Sequence, residues 1–221
     1  MNKKNVIFDW DGTLADTRQR QFAFYQDVAS EFGKEPFTSY EAFCEIEAQS
    51  NTDWMVVYKH LGLDAEQIKK ADQLYPKYLM DTAGEVKLFD GIDAMLEELR
   101  RLGIEIGIVS GNYSASITKA LQNNGAQVAH VVGYEFKYRK PDPRALQACL
   151  NRFRSGSIGN TALVGDTRKD IDAAKLSGMD CLVATWGYEP KEMLVAHDPQ
   201  ARLLEHPSEI IPLVSNPAVE L

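Results

Sequence analysis

The sequence predicts an α/β protein, Rossmann-like, with a mostly parallel sheet carrying helices on both faces and an inserted all-helical cap. Three observations predict it. From about residue 86 onward, short apolar runs of strand type alternate with amphipathic helical segments, the pattern of βα units in a parallel sheet. One further run of the same type, Val6-Ile7-Phe8, stands far upstream. Between them, residues 15–85 repeat apolar positions at helical spacing and contain no strand pattern. Residues 1–14 and 86–221 are therefore expected to form the α/β core, and residues 15–85 the helical cap.

In chain order, residues 6–8 are continuously apolar, as a strand buried on both faces must be. Phe22, Tyr25, Val28, Ala29 and Phe32 then share one face of a helix that Gly33 can end. Residues 39–61 are helical with a weaker pattern. Ile68, Ala71, Leu74, Tyr75, Tyr78 and Leu79 form another stripe, in which Pro76 predicts a kink or a break. The many aromatic residues of this region fill a small core, because large side chains are what a minor domain has to bury. Residues 82–91 return the chain to the core; with residues 14–17 they are the candidate hinges. Ile92, Met95, Leu96, Leu99 and Leu102 form an amphipathic helix with Arg100 and Arg101 in its last turn and Gly103 beyond. A strand at 104–109, a helix at 114–124 stopped by Gly125 and a strand at 129–133 follow. Asp142 at N-cap and Pro143 at N1 start a helix reaching Phe153. The last units are a strand at 161–164, a helix at Arg168–Ser177 stopped by Gly178, and a final core strand at 181–185.

Composition narrows the function. The 221 residues are 44% hydrophobic and 25% charged, enough for one full core and a small second domain. A net charge of -8 argues against a nucleic-acid footprint. Cys44, Cys149 and Cys181 are far apart and form no C-x-x-C pair, which fits a reducing compartment. No signal peptide and no window of membrane-span length is present. A soluble cytoplasmic enzyme, monomer or homodimer, with no nucleic-acid or membrane partner, is the expectation.

The first strand ends in Asp9-Trp10-Asp11-Gly12-Thr13, and in open α/β sheets ligands bind where strands emerge. Later strands finish alike. Ser110-Gly111 follows the second, Lys140 the third, and Gly165-Asp166 the fourth, with Asp170 one helical turn beyond. Parallel strands share a direction, so these residues converge on one edge. Carboxylate oxygens suit a hard cation, lysine and hydroxyl suit an anion, and glycines let backbone N–H groups approach. Singly, each residue has an ordinary role: Asp11-Gly12 as a turn, Ser110 as a helix cap, Lys140 as a surface charge, Asp166 and Asp170 as first-turn acids. Their ordered occurrence at strand ends is what points to a site. Other motifs fail on spacing. There is no P-loop or dinucleotide fingerprint, a calcium loop begun at Asp9 would meet Leu14 and Arg20 at its sixth and twelfth positions, and Ser110 has the wrong register for a G-x-S-x-G elbow. His60, His130, His197 and His206 have no ligand or triad spacing.

Taken together, Asp9-Trp10-Asp11-Gly12-Thr13, Ser110, Lys140-Pro141, and Gly165-Asp166 with Asp170 resemble the four motifs of the haloacid dehalogenase-like hydrolases. The match spans nearly the whole chain. Trp186-Gly187-Tyr188 after the last strand is similar to phosphoglycolate phosphatase-type members with a helical cap. The resemblance implies Mg²⁺-dependent hydrolysis of a small phosphorylated metabolite, phosphoglycolate-like, through an aspartyl-phosphate. Asp9 would attack phosphorus, and Asp11 would protonate the leaving oxygen and later activate water. Mg²⁺ would be held by Asp9, the main-chain carbonyl of Asp11, and Asp166. Lys140 would offset the phosphate charge; Thr13, Ser110 and the Gly111 amide would position its oxygens; Asp170 would orient Lys140 or complete the metal's surroundings. A carboxylate is a weak nucleophile toward an anion, so this charge compensation is a physical requirement.

Asp11 favours phosphoryl transfer over C–Cl cleavage, since dehalogenases of the superfamily lack the second acid. A phosphonatase would need a cap lysine, for which Lys34, Lys59, Lys69, Lys70 and Lys77 are the candidates. Similar sugar phosphomutases often carry a histidine early in the cap, where this chain has Arg18, Arg20 and Gln21. Arg18 or Arg20 could contact a substrate carboxylate. The Gly111 in Ser110-Gly111-Asn112 departs from the family's usual threonine- or serine-asparagine pair. A non-catalytic scaffold on the same fold is the alternative of another class, and the intact acids argue against it.

Overall fold

The computed structural model describes residues 3–50 and 53–215. Strand β1 (Asn5–Phe8) leads through a tight loop to the short β2 (Ala15–Asp16) and then to four helices, α1 (Arg18–Glu31), α2 (Tyr40–Ser50), α3 (Trp54–His60) and α4 (Ala65–Asp81). β3 (Lys87–Leu88) returns the chain. There follow α5 (Ile92–Arg101), β4 (Glu105–Val109), α6 (Ser114–Asn123), β5 (His130–Val132), α7 (Pro143–Leu150), β6 (Thr161–Gly165), α8 (Arg168–Ser177), β7 (Asp180–Ala184), α9 (Lys191–His197), β8 (Arg202–Leu204) and α10 (Ile210–Ser215).

Six strands form one parallel sheet in the order β5-β4-β1-β6-β7-β8. β1 lies between β4 and β6, with Phe8 opposite Ile108 and Val164. Strand alternation divides its side chains. Val6 and Phe8 enter the core on the face covered by α5, α6 and α10, while Ile7 enters the core made with α7 and α8. Both faces are therefore buried, and the acidic residues come only after the last residue of β1. The helical insertion has a third core of its own, built on Phe24, Val28, Phe37, Phe43, Tyr58 and Ile68. Phe43 is fully buried there, with the rings of Phe22, Tyr25, Phe37 and Tyr40 around it.

Four details differ from the sequence expectation. A sixth strand, β8, extends the sheet beyond β7; three residues are too short for a periodic signal. Residues 15–85 are not wholly helical, because β2 pairs antiparallel with β3 and ties the two connectors of the insertion together. That pairing joins residues about seventy positions apart, so local pattern cannot reveal it. Pro76 does not end α4, which continues to Asp81 with Ile68, Ala71 and Leu79 buried along it; packing of an apolar stripe outweighs the single lost hydrogen bond. Finally, α7 stops at Leu150, though Phe153 still packs in the same core. Among the described residues no helix is long and apolar enough to cross a membrane. The three cysteines are free.

The insertion's independent core yields a stability prediction. Phe43→Ala should cost about 3–5 kcal/mol, the usual range for a buried phenylalanine, whereas Val56→Ala at an exposed position of α3 should stay within about 0.5 kcal/mol. Urea unfolding of the two variants measures the difference.

Candidate active site

Asp9 prolongs β1 by one bond, its N–H donating to the Val164 carbonyl at 2.8 Å. The chain then winds tightly. The Trp10 carbonyl accepts from the N–H groups of Thr13, Leu14 and Ala15, and Gly12 N–H donates to the Ala15 carbonyl. Trp10 is buried in the core, while Asp9 and Asp11 on either side of it line a cavity at the end of the sheet. Gly12 adopts a φ of 84°, and a Cβ there would stand 2.2 Å from Asp166 Oδ2. A Cβ on Gly187 would meet the same carboxylate at 2.4 Å. Both glycines make room for Asp166.

Asp9, Asp166 and Asp170 are buried, with carboxylate oxygens within 4.8 Å of one another. Lys140 Nζ lies 2.8 Å from Asp9 Oδ1 and 2.6 Å from Asp170 Oδ1. The other Asp170 oxygen accepts from Thr167 Oγ1 and N–H, closing a capping box on α8. One side chain thus caps a helix and fixes the lysine. Asp166 is fully buried; Thr13 Oγ1 donates to its Oδ1 at 2.6 Å and the Tyr188 N–H to its Oδ2 at 2.8 Å.

Three acids face one lysine, so the cluster holds two more acids than cations. The electrostatics register this. Burial pushes the Asp9 carboxyl up to about 7, against the pull of Lys140 and with further pushes from Asp170 and Asp11. Burial, then the charges of Asp9 and Asp170, drive Asp166 well above the ordinary carboxylate range. Lys140 is opposed by burial, but Asp170 and Asp9 outweigh it and raise its pKa. A divalent cation would balance the count, and carboxylate oxygens are the donors hard cations take. Asp170 is engaged by Lys140 and Thr167, Asp166 by Thr13 and the Tyr188 N–H, and Asp9 by Lys140.

Asp11 sits in a different environment. Its Oδ1 accepts from Thr17 Oγ1 at 2.6 Å and Asn112 Nδ2 at 3.2 Å, and its Oδ2 from Ser110 Oγ at 3.3 Å. Arg20 Nη2 lies 3.7 Å from Oδ1 without a hydrogen bond. The Arg20 cation and the hydroxyls of Thr17 and Ser110 converge on this carboxylate.

Of the residues expected from the sequence, Asp9, Asp11, Ser110, Gly111 and Lys140 line a cavity of about 260 Å³ between sheet edge and insertion. Thr13, Asp166 and Asp170 lie behind it. Thr13 corrects the expectation that its hydroxyl meets phosphate: it is 1% exposed and its hydroxyl is committed to Asp166. Arg18 and Arg20 do not line the cavity either. Arg18 donates to Glu47 Oε2 and to the Tyr188 carbonyl, with its guanidinium over the Tyr188 ring, so it fastens the insertion to the core. Lys34, Lys59, Lys69, Lys70 and Lys77 are absent from the lining. Sequence reasoning missed Thr17 and the contact of Asn112 with Asp11; a lone threonine in a connector carries no spacing signal.

A model of the haloacid dehalogenase-like hydrolases matches residues 6–184. The phosphoglycolate phosphatase of Synechococcus elongatus is 28% identical over 210 residues, 95% of this chain and 96% of that one. That of Xanthomonas campestris pv. campestris is 30% identical over 186 residues, 83% of each chain. A haloacid dehalogenase-like family hydrolase from Streptococcus pneumoniae shares the fold, with a TM-score of 0.76 at 20% identity over 96% of this chain and 98% of that one.

The close approach at Gly12 is testable. Gly12→Ala should destabilise the protein by more than about 1 kcal/mol from backbone strain alone, with the Asp166 clash added. Thermal unfolding beside Gly159→Ala, whose Cβ meets nothing within 4 Å and whose backbone is ordinary, isolates the effect.

Proposed function

Since the chain belongs to the haloacid dehalogenase-like hydrolases, we propose that it is a Mg²⁺-dependent phosphatase whose Asp9 takes the phosphoryl group of a small phosphorylated metabolite. The observation that carries this reading is the Asp9 carboxylate: it faces the cavity, touches Lys140 at 2.8 Å, and shares a buried acidic cluster with Asp166. Residues 15–85 act as the cap over this edge.

In the first step an Asp9 oxygen bonds to phosphorus as the bond to the leaving oxygen breaks, and Asp11 supplies that oxygen with a proton. In the second, Asp11 takes a proton from water as the water oxygen attacks phosphorus, releasing inorganic phosphate and restoring Asp9. Asp9, Asp166 and the main-chain carbonyl of Asp11 would hold Mg²⁺, which supplies charge neutralisation for the nucleophile and the phosphate oxygens. Lys140 adds a second positive charge and is kept in place by Asp170. Ser110 and the Gly111 amide meet the remaining phosphate oxygens, and Thr13 acts indirectly by holding Asp166. Splitting hydrolysis in two lets one pre-positioned carboxylate do what bulk water does very slowly.

The names of the two relatives make phosphoglycolate the first ester to assay. Three free thiols fit a cytoplasmic setting, and the chain works as a monomer or homodimer without nucleic acid or membrane.

Release of phosphate from p-nitrophenyl phosphate should require Mg²⁺ and stop with EDTA. Asp9→Asn should lower turnover by roughly a thousandfold or more, removing the covalent route. Asp11→Asn should lose about 10²–10⁴-fold on an alkyl phosphate, whose leaving oxygen needs a proton, and less on the p-nitrophenyl ester, whose leaving group does not. Wild-type protein that frees no phosphate from a broad ester panel would leave only the scaffold reading.

A further inference from the structure

The two walls of the cavity differ in which of them carries cations. Its cations, Arg139, Lys140 and Lys169, all come from the core, and Lys140 lies beside the proposed phosphate position. The cap contributes Tyr25, Trp54, Tyr58 and Tyr75 together with the carboxylates of Glu47 and Asp72, and no lysine or arginine among the described residues. Glu47 is met by Arg18 at 2.8 Å. Asp72 has neither an ion pair nor a hydrogen bond among the described residues. It is the unmatched charge of the cap wall.

The rings beside it are arranged to present more than one face. Tyr25 and Tyr58 meet at 5.2 Å and 71°, and Trp54 and Tyr58 at 5.5 Å and 84°. Tyr58 is only 2% exposed, yet its hydroxyl lacks a hydrogen-bond partner among the described residues while its side chain lines the cavity. Burial raises the Tyr25 and Tyr58 hydroxyls, and the nearby Asp72 charge adds to both shifts. Near-perpendicular aromatic faces next to a free carboxylate attract a cation by ring quadrupole and Coulomb force together. A carboxylate ligand would meet repulsion from Asp72 at the same place.

We propose that the substrate is a phosphate monoester whose alcohol carries an ammonium group, held by the rings of Tyr25, Trp54 and Tyr58 and the carboxylate of Asp72. The proposal rests on the phosphatase reading and replaces the carboxylate end of a phosphoglycolate-like ester with a cationic one. Phosphate lies toward the core cations and ammonium toward the cap, so the charge separation of the ligand mirrors that of the cavity.

The test is kcat/KM of the Mg²⁺-loaded enzyme for phosphocholine, for the neutral ester in which carbon replaces its quaternary nitrogen, for phosphoglycolate, and for p-nitrophenyl phosphate. Phosphocholine should exceed its neutral isostere by roughly tenfold or more, the scale of a desolvated cation–π contact with a carboxylate beside it. Asp72→Asn and Trp54→Leu should each pull that ratio toward one, a readout that partial loss of folded protein does not alter. A wild-type ratio near one, a preference for phosphoglycolate, or a ratio untouched by both substitutions overturns the proposal while p-nitrophenyl phosphate hydrolysis keeps the phosphatase reading. Hydrolysis of none of the four esters overturns both.

Discussion

Three buried carboxylates share one lysine at the end of the central strands, and the rest of the molecule is arranged to tolerate that imbalance. Asp9, Asp166 and Asp170 crowd around Lys140 with two negative charges to spare. Isolated, such charges would disrupt a core. Here each acid has a fixed local donor or cation. Asp170 is absorbed into the capping box of α8, Asp166 is held between Thr13 and the Tyr188 N–H, and Asp9 rests on Lys140. Gly12 and Gly187 exist at this point because no side chain can stand there without displacing Asp166. The surplus charge is also what makes the site chemically useful, since it matches a divalent cation and the phosphate that such a cation brings.

The sheet supplies rigidity and the insertion supplies shape. β1 is clamped by β4 and β6 with both faces buried, so the positions of Asp9 and Asp166 are set by backbone pairing. The insertion has a separate aromatic core and reaches the sheet through the β2–β3 ribbon and a few polar fastenings, among them Arg18 to Tyr188 and Arg168 to the Ala48 carbonyl. Separate cores allow one part to hold the phosphate chemistry constant while the other presents a wall of different polarity to the leaving group.

Much of this was legible in the sequence, and what was not has identifiable causes. Continuous apolar strands and glycine-stopped helices gave nearly the observed succession of elements along the core, because both signals are local. The acids stood out because charge at the end of a buried strand conflicts with its surroundings. Thr13 was misjudged: its place in a phosphate-associated motif suggested direct contact, but the tight winding after Trp10 turns its hydroxyl inward to Asp166. The β2–β3 pairing and β8 depend on partners far along the chain. Pro76 signals a kink or a break, and α4 runs through it to Asp81 without a break. The polarity of the cap wall was invisible, since helical periodicity identifies an apolar face without saying which tyrosines look into a cavity.

The central claim is that Asp9 becomes covalently phosphorylated during turnover. Acid quenching of the enzyme in the first turnovers, reduction of the acyl-phosphate with borohydride and peptide mass spectrometry should find residue 9 converted to homoserine, with no conversion when substrate is omitted. Conversion at another carboxylate, or phosphate release with none at residue 9 while product forms in a pre-steady-state burst, would contradict the account.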